Sequence, residues 1–213
     1  ENNMLKKITN AVTELKIDDV PQLVNQALDD GHSAEKILKE GLIKGMTEIG
    51  VKFKAGEVFI PEMLMAAETM KSGLTKLEPI LAKTGVVPTG KLVIGTVKGD
   101  LHDIGKNIAS MVFTGEGFEV VDIGIDQDEE SFVQAVKEHS PDILGLSALL
   151  TTTMQEIGTV IKALEKAGLR DQVKIIVGGA PLTEEFAKSV GADFYAADAI
   201  SGVQEAVKHV TGK

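Results

Sequence analysis

The chain has 213 residues and a formal net charge of −10. Hydrophobic residues make up 43% of it, and it contains no cysteine. A chain of this length can form one large domain or two modest ones, and without cysteine it can form no disulfide, iron–sulfur cluster or thiolate zinc site. The acidic balance argues against a nucleic-acid partner. No apolar run approaches membrane-spanning length, so we expect a cytoplasmic protein without a membrane partner.

Residues 1–81 show helical periodicity with short connections. Apolar residues recur every three or four positions in four successive stretches. Ser33 is a predicted N-cap of the third helix, and Pro61 lies in the first turn of the fourth, where proline is tolerated. We therefore predict a four-helix bundle over residues 1–81.

Residues 82–90 do not show this periodicity and contain two glycines and a proline, which indicates a linker. Beyond them, short apolar runs alternate with amphipathic stretches. The predicted strands cover 92–97, 119–123, 143–147, 173–177 and 193–196, and the predicted helices lie near 104–114, 128–139, 153–167, 183–190 and 200–210. This alternation predicts a Rossmann-like, flavodoxin-like domain over 91–213, with a five-stranded parallel sheet covered on both faces.

Asp100 and His102 follow directly on the first predicted strand, in the stretch from Gly95 to Asn107. In an extended loop, residues two apart point to the same side, so the carboxylate can accept a hydrogen bond from the imidazole. The other ring nitrogen is then free to bind a metal or move a proton. The alternative is that His102 is an ordinary loop residue and that Asp103 only caps the next helix.

Three further small residues end neighbouring strands of the predicted sheet. Ser147 ends the third strand, and Gly178 and Gly179 end the fourth. Ligands bind parallel sheets outside the carboxyl ends of the strands, where the strand order reverses, so we expect these residues to share one crevice with the Asp-x-His loop. Ordinary strand-to-helix turns remain the alternative explanation for either stretch alone.

The spaced motifs resemble the cobalamin-binding signature of the corrinoid methyltransferase proteins, including the B12 module of methionine synthase. The matching residues are Asp100-x-His102-x-x-Gly105, then Ser147-x-Leu149, then Gly178-Gly179. The domain order is also similar to that family, because a helical domain, a short linker and a Rossmann-like domain follow one another from end to end.

The resemblance implies that cobalamin binds with its own base displaced and with His102 as the lower cobalt ligand. Asp100 would fix the tautomer of His102 and raise its basicity, and a proton on this pair could accompany changes in cobalt ligation. The displaced nucleotide tail would run into the crevice. By the same comparison the cofactor site includes Asp100, His102, Asp103, Ile104, Gly105, Ser147, Leu149, Thr151, Gly178 and Gly179.

The family's third relay member is a hydroxyl residue, which falls on Thr153 by position. Thr153 also begins a possible capping box with Glu156, so its alternative role is to cap a helix. In the family the helical domain caps the upper face of the corrin. The resemblance implies that Phe59, Met63 and Met65 contact the corrin, although methionines at helical spacing are also common in cores.

The resemblance implies a methyl carrier that is not catalytic alone. It would shuttle a methyl group from a donor-specific methyltransferase to an acceptor methyltransferase acting on tetrahydrofolate or a thiol, and a reductive activase would be a third partner. Because the partners must reach cobalt in turn, the helical cap would move, with 82–90 as the hinge.

Four other functions remain open at the level of the sequence. A hydrolase could assemble Asp100, His102 and Ser147 as a triad, but the stretch around Ser147 lacks the second glycine of a nucleophile elbow. A cobalamin-dependent regulator would carry a DNA-binding segment, which we do not expect in this acidic chain. A mutase cobalamin-binding subunit would share the Asp-x-His loop but not the helical cap. A plain flavodoxin-like binding module fits if the loop is incidental.

Overall fold

The computed structural model describes residues 2–84 and 88–212, which form two compact units. Of these residues, the first unit holds 2–84, Pro88 and 114–117, and the second holds 89–113 and 118–212. Among the residues described, none of the helices combines the length and the apolar character that crossing a bilayer requires.

The first unit is built from amphipathic helices. They are α1 (Asn2–Thr13), α2 (Asp19–Asp29), α3 (Ala34–Lys36) continuing through a π-helical segment (Ile37–Ile43) into α4 (Lys44–Lys54), and α5 (Ile60–Thr84). The predicted cap at Ser33 is confirmed, since its side chain accepts a hydrogen bond from the Lys36 N–H. Buried residues on the facing sides of these helices form the core of the unit, among them Leu5, Ile8, Val24, Leu42, Ile49 and Met70.

The π-helical segment was not predicted, and its packing against α1 gives it a physical reason. The buried hydroxyl of Thr9, on α1, donates to the Gly41 carbonyl inside the segment at 3.0 Å, so a side chain of α1 competes for a carbonyl of its backbone ladder. A Cβ at Gly45 would lie 2.7 Å from the Cβ of Val12, so only glycine allows the two helices to approach this closely.

Helix α5 extends three residues beyond the predicted end of the helical domain and has Pro79 in its interior. Residues 85–87, inside the predicted linker, lie outside the described residues. The predicted boundaries of the two domains therefore stay predictions.

The second unit alternates strands and helices as predicted. The strands are β1 (Lys91–Thr96), β2 (Glu119–Asp122), β3 (Ile143–Ser147), β4 (Lys174–Gly178) and β5 (Phe194–Ala196). The helices are α6 (Ile104–Gly115), α7 (Glu129–His139), α8 (Gln155–Lys166), α9 (Glu184–Val190) and α10 (Ala199–Thr211), with a short 3₁₀ segment at Arg170–Gln172.

All strand pairings are parallel, and the strand order is β2-β1-β3-β4-β5. The predicted fold class is confirmed: a helical region precedes a five-stranded Rossmann-like sheet. Both faces are covered, because the central strands carry buried apolar residues at almost every position. The strand that follows β1 in sequence, β2, lies next to β1 on one side, and the following strand, β3, lies next to β1 on the other side. The strand order therefore reverses between β1 and β3, which makes this the switch point of the sheet.

Candidate functional site

The site is assembled where β1 and β3 end side by side. Thr96 and Ser147 are the last paired residues of these strands, and Ser147 in turn pairs with Gly178 at the end of β4. The loop after β1 carries Asp100 and His102, and the loop after β3 carries Leu149 and Thr153. The structure thus brings the sequence-predicted residues of three strands to one edge of the sheet, at its switch point.

The side chains of Asp100 and His102 are in contact, as predicted. The Nδ1 atom of His102 lies 2.7 Å from Oδ1 of Asp100, and the backbone N–H of His102 donates to the same oxygen at 3.0 Å. Because an ionised carboxylate only accepts hydrogen bonds, Nδ1 carries the hydrogen. In the neutral ring Nε2 then holds the lone pair, and the imidazole is about half exposed, at 48%.

The other carboxylate oxygen of Asp100 is held by the loop after β3. Oδ2 accepts hydrogen bonds from the Leu149 N–H at 2.7 Å and from the Thr153 hydroxyl at 2.6 Å. The Asp100 side chain is fully buried. Burial alone would raise its pKa, but the hydrogen bonds from Thr153, Leu149 and His102 outweigh that effect and hold the pKa well below its usual range. Asp100 is therefore a carboxylate at neutral pH.

Thr153 does not cap helix α8, so the capping-box alternative is wrong. The N-cap position of α8 is Met154, which makes no side-chain cap bond. The Thr153 hydroxyl, 6% exposed, instead makes its shortest contact with Asp100, because the preceding turn directs the side chain back toward β1. Its role in a relay stays a prediction.

Four large apolar side chains surround this polar group in sequence and are exposed. They lie in the loops after β1 and β3 and at the start of α6. The four residues are Leu101, Ile104, Leu149 and Leu150. Ile104 is the most exposed of them, at 73%. Leucine and isoleucine exposed together at one edge of a sheet are typical of a surface that receives an apolar ligand.

The remaining predicted residues occupy different environments. Asp103 and Gly105 are exposed at the start of α6, Thr151 is exposed in the loop after β3, and Ser147 and Gly178 are partly buried. Gly179 has φ +138, and a Cβ there would lie 1.7 Å from the Ala148 carbonyl oxygen. Its lack of a side chain thus has a structural reason, the close approach of two backbones.

The three residues predicted to contact the corrin from the helical unit do not share one environment. Phe59 and Met65 are exposed, whereas Met63 is 2% exposed. Their contact with a cofactor stays a prediction, and burial makes Met63 the weakest of the three.

Sequence reasoning missed three residues that support the loop. The buried Thr96 hydroxyl donates to the His102 carbonyl at 3.0 Å, Lys106 is buried against Asp122, and Asp126 bonds to the turn that precedes Asp100. Thr96 could have been found as the one hydroxyl in an apolar strand directly before the motif. The long-range partners of Lys106 and Asp126 left no signal in the spacing.

The donor set fits a metal whose other ligands come with a cofactor. His102 offers one nitrogen from a ring that a buried carboxylate orients, and imidazole is a good ligand for first-row transition metals. The exposed leucines and isoleucine would contact the apolar parts of such a cofactor. His102 would therefore be the residue of this loop that holds such a metal, through Nε2.

Comparison with known proteins agrees with this geometry. Residues 90–205 match the B12 binding domain family, and residues 4–78 match a second family of the same description. A dimethylamine corrinoid protein of Methanosarcina acetivorans is 42% identical, covering 100% of this chain and 99% of the relative. A corrinoid protein of Desulfitobacterium hafniense strain Y51 is 41% identical over 99% of both chains.

Two solved structures have the same fold over most of their length. A cobalamin-binding protein from Desulfitobacterium hafniense DCB-2 is 34% identical with a TM-score of 0.81, covering 96% of this chain and 98% of the other. A chain of the methanol:cobalamin methyltransferase complex from Methanosarcina barkeri is 26% identical with a TM-score of 0.89, covering 100% of this chain and 81% of the other.

Proposed function

The chain belongs to the family of B12-binding corrinoid proteins, and we propose that it is the methyl-carrying subunit of a multi-component methyltransferase system. The observation that carries the proposal is the Asp100–His102 pair, which leaves one imidazole nitrogen free beside exposed apolar side chains at the switch point. Full-length relatives named as dimethylamine corrinoid proteins support the same function.

In this proposal cobalamin supplies the cobalt that accepts and releases the methyl group. His102 would hold the cobalt through Nε2, and Asp100 would keep the hydrogen on Nδ1 so that Nε2 stays available. Thr153 and the Leu149 N–H would keep Asp100 in place and ionised. Ser147, Thr151 and Gly178 would line the path of the nucleotide tail, as the family pattern implies.

We propose two methyltransferases as partners, one specific for the donor and one acting on tetrahydrofolate or a thiol. A relative in a solved methanol:cobalamin methyltransferase complex supports the first of them. Curated relatives that serve dimethylamine and trimethylamine are 39–42% identical to this chain. Because relatives named for two different methylamines are about equally identical to this chain, we propose that the partner methyltransferase, and not this chain, selects the methyl donor. A reductive activase would be a third partner, as the resemblance to the corrinoid methyltransferase proteins implies.

The test is the visible absorption spectrum of the purified chain mixed with hydroxocobalamin. We expect binding with a spectrum of histidine-ligated cobalamin, and we expect His102→Ala to bind more weakly and to give a base-off spectrum. His139→Ala is the matched control, because His139 lies at the end of α7, far along the chain from the loop.

Two results would count against the proposal. If the wild-type chain does not bind hydroxocobalamin, the carrier function is wrong. If His102→Ala keeps the histidine-ligated spectrum while His139→Ala loses it, cobalt is held elsewhere and the assignment of His102 fails.

A further inference from the structure

A tight turn directly before His102 sets the position of Asp100. The Asp100 N–H donates to the Val97 carbonyl at 3.1 Å, which closes the turn. Gly99 occupies the third position of this turn with φ +78, a conformation that glycine adopts at no steric cost. The direction in which the Asp100 side chain leaves the backbone therefore depends on how firmly this turn is held.

Asp126, in the loop after β2, holds the turn at two points. Its Oδ1 accepts a hydrogen bond from the Gly99 N–H at 2.7 Å, and its own N–H donates to the Asp100 carbonyl at 3.0 Å. One residue thus bonds to both of the last two residues of the turn, which lie 27 and 26 positions earlier in the sequence. The bonds involve the backbone of Gly99 and of Asp100, and they leave the Asp100 carboxylate for His102, Leu149 and Thr153.

The backbone around Asp126 is itself fixed and locally strained. Asp126 has φ +52, in the left-handed region of the backbone. Apart from glycine, few residues other than aspartate and asparagine adopt this conformation. Its neighbours hold it there, since the Thr96 N–H donates to the Gly124 carbonyl at 2.9 Å and the Gln127 N–H donates to the Thr96 carbonyl at 3.0 Å. Asp126 is thus an exposed residue in a left-handed conformation whose carboxylate is bonded to a turn beside the site.

We propose that Asp126 is a positioning residue that keeps Asp100 in the orientation in which it can hold His102. The order of action is from Asp126 to the turn, from the turn to the Asp100 backbone, and from the Asp100 carboxylate to the imidazole. The effect on cobalt rests on the proposed function, whereas the effect on the geometry of the loop does not. Asp126 bonds to the backbone of Gly99 and Asp100, so it acts on the imidazole only through the turn.

Three substitutions separate the parts that Asp126 plays. Asp126→Asn keeps an acceptor oxygen and tolerates the left-handed backbone. Asp126→Gly keeps the backbone conformation but removes the acceptor. Asp126→Ala removes the acceptor and also strains the backbone. If the acceptor matters, asparagine retains the wild-type behaviour and glycine does not; if Asp126→Ala does not fold, the asparagine–glycine pair carries the test.

The first measurement needs no cofactor. Hydrogen exchange of the His102 and Leu149 amides reports on the Asp100 carboxylate, because both N–H groups donate to it. We expect both amides to exchange about tenfold faster or more in Asp126→Gly than in the wild type, and at the wild-type rate in Asp126→Asn. The Ala187 amide, inside α9, is a control that should not change.

The second measurement is the spectrum and affinity of hydroxocobalamin. We expect Asp126→Gly to bind about tenfold more weakly, with a larger base-off fraction, and Asp126→Asn to match the wild type. A residue that only stabilised the fold would change the unfolding midpoint and leave the base-off fraction of the folded protein unaltered.

The outcomes distinguish this inference from the proposed function. Equal exchange rates and equal base-off fractions in wild type and Asp126→Gly would overturn the role of Asp126 while leaving the carrier function intact. No binding by the wild type would overturn the carrier function and the effect on cobalt with it, and the exchange rates would then decide whether Asp126 positions the loop.

Discussion

The Nδ1 atom of His102 lies 2.7 Å from Oδ1 of Asp100, and the two side chains differ sharply in exposure. The carboxylate is fully buried, while the imidazole is about half exposed. A buried carboxylate needs hydrogen bonds to offset its lost hydration. Asp100 obtains them from His102, Leu149 and Thr153, on two different strand-end loops. The exposed imidazole is therefore anchored through a carboxylate that belongs to the core of the second unit.

Removal of the Thr153 hydroxyl should destabilise the protein. Thr153→Val keeps the shape of the side chain but takes the shortest hydrogen bond from the buried Asp100 carboxylate. A lost hydrogen bond to a buried charge costs about 1.5–3 kcal/mol. We expect a decrease of that size in the free energy of unfolding, measured with urea at pH 7.

Thr153→Ser is the control for this prediction, because serine keeps the hydroxyl. It should lie closer to the wild type than Thr153→Val does. Equal losses in the two variants would mean that the methyl group, and not the hydrogen bond to Asp100, supplies the stabilisation.

The hydrogen bonds to Asp100 also predict how stability depends on pH. Its pKa in the folded protein lies below the unfolded value of about 3.8. A group of this kind stabilises the fold above its unfolded pKa, and the stabilisation is lost as the pH falls through 3.8 toward the lower folded value. We expect the free energy of unfolding of the wild type to fall steeply below about pH 5.

Asp100→Asn should remove this part of the pH dependence. The variant should be less stable at pH 7, since an amide cannot accept from all the donors that face Asp100, and its curve should approach that of the wild type as the pH falls. The measurement is urea unfolding at pH 7, 5, 4 and 3, with Asp171→Asn, a change at an exposed carboxylate, as the control. Parallel curves for wild type and Asp100→Asn would contradict the prediction.

Hydrophobic periodicity alone gave the architecture of the second unit to within one or two residues at each strand. It succeeded because parallel strands that are buried on both faces have short, continuous apolar sequences. Val93 in β1 and Leu144 in β3 are examples, since both are fully buried. The pairing of Asp100 with His102 was also predictable, because it depends on two residues that are neighbours in sequence. The resemblance to the corrinoid proteins placed Thr153 at the site, and the structure shows its hydroxyl bonded to Asp100.

What the sequence did not predict depends on contacts between distant segments. The π-helical segment Ile37–Ile43 follows from close packing against α1, and no local pattern marks it. Asp126 bonds to a turn 26 residues earlier. Gly179 was predicted to share the ligand crevice, and nothing in the sequence indicated that its positive φ and the close approach of the Ala148 backbone also give it a role in the fold itself.

Gly179→Ala should be strongly destabilising for that reason. The added Cβ would lie 1.7 Å from the Ala148 carbonyl oxygen, and the residue has φ +138, so both the contact and the backbone conformation oppose a side chain. We expect a loss of about 3 kcal/mol or more in the free energy of unfolding.

Gly178→Ala is the matched control, one residue earlier in the same motif. Its Cβ would lie 3.4 Å from the Ala196 carbonyl oxygen, close to an ordinary contact. It should change stability much less than Gly179→Ala. If Gly179→Ala were as stable as the wild type, the close backbone approach would not be the reason for glycine at this position.

The ion pair between Lys106, in the first turn of α6, and Asp122, at the end of β2, should respond differently to the loss of each partner. Nζ of Lys106 lies 2.5 Å from Oδ2 of Asp122 and 2.7 Å from Oδ1 of Asn107. The Lys106 side chain is 4% exposed, whereas that of Asp122 is 33% exposed. A charge left unpaired in the interior is costly, but a partly exposed carboxylate can turn to water.

Asp122→Asn should therefore destabilise the protein by about 3 kcal/mol, since it leaves a buried ammonium without its counter-charge. Lys106→Met should cost less, because methionine fills similar space and Asp122 keeps its hydration. In the double variant, methionine should recover part of the stability that Asp122→Asn loses. Urea unfolding of the four proteins measures this coupling, and additive losses would mean that the pair contributes nothing specific to the position of α6.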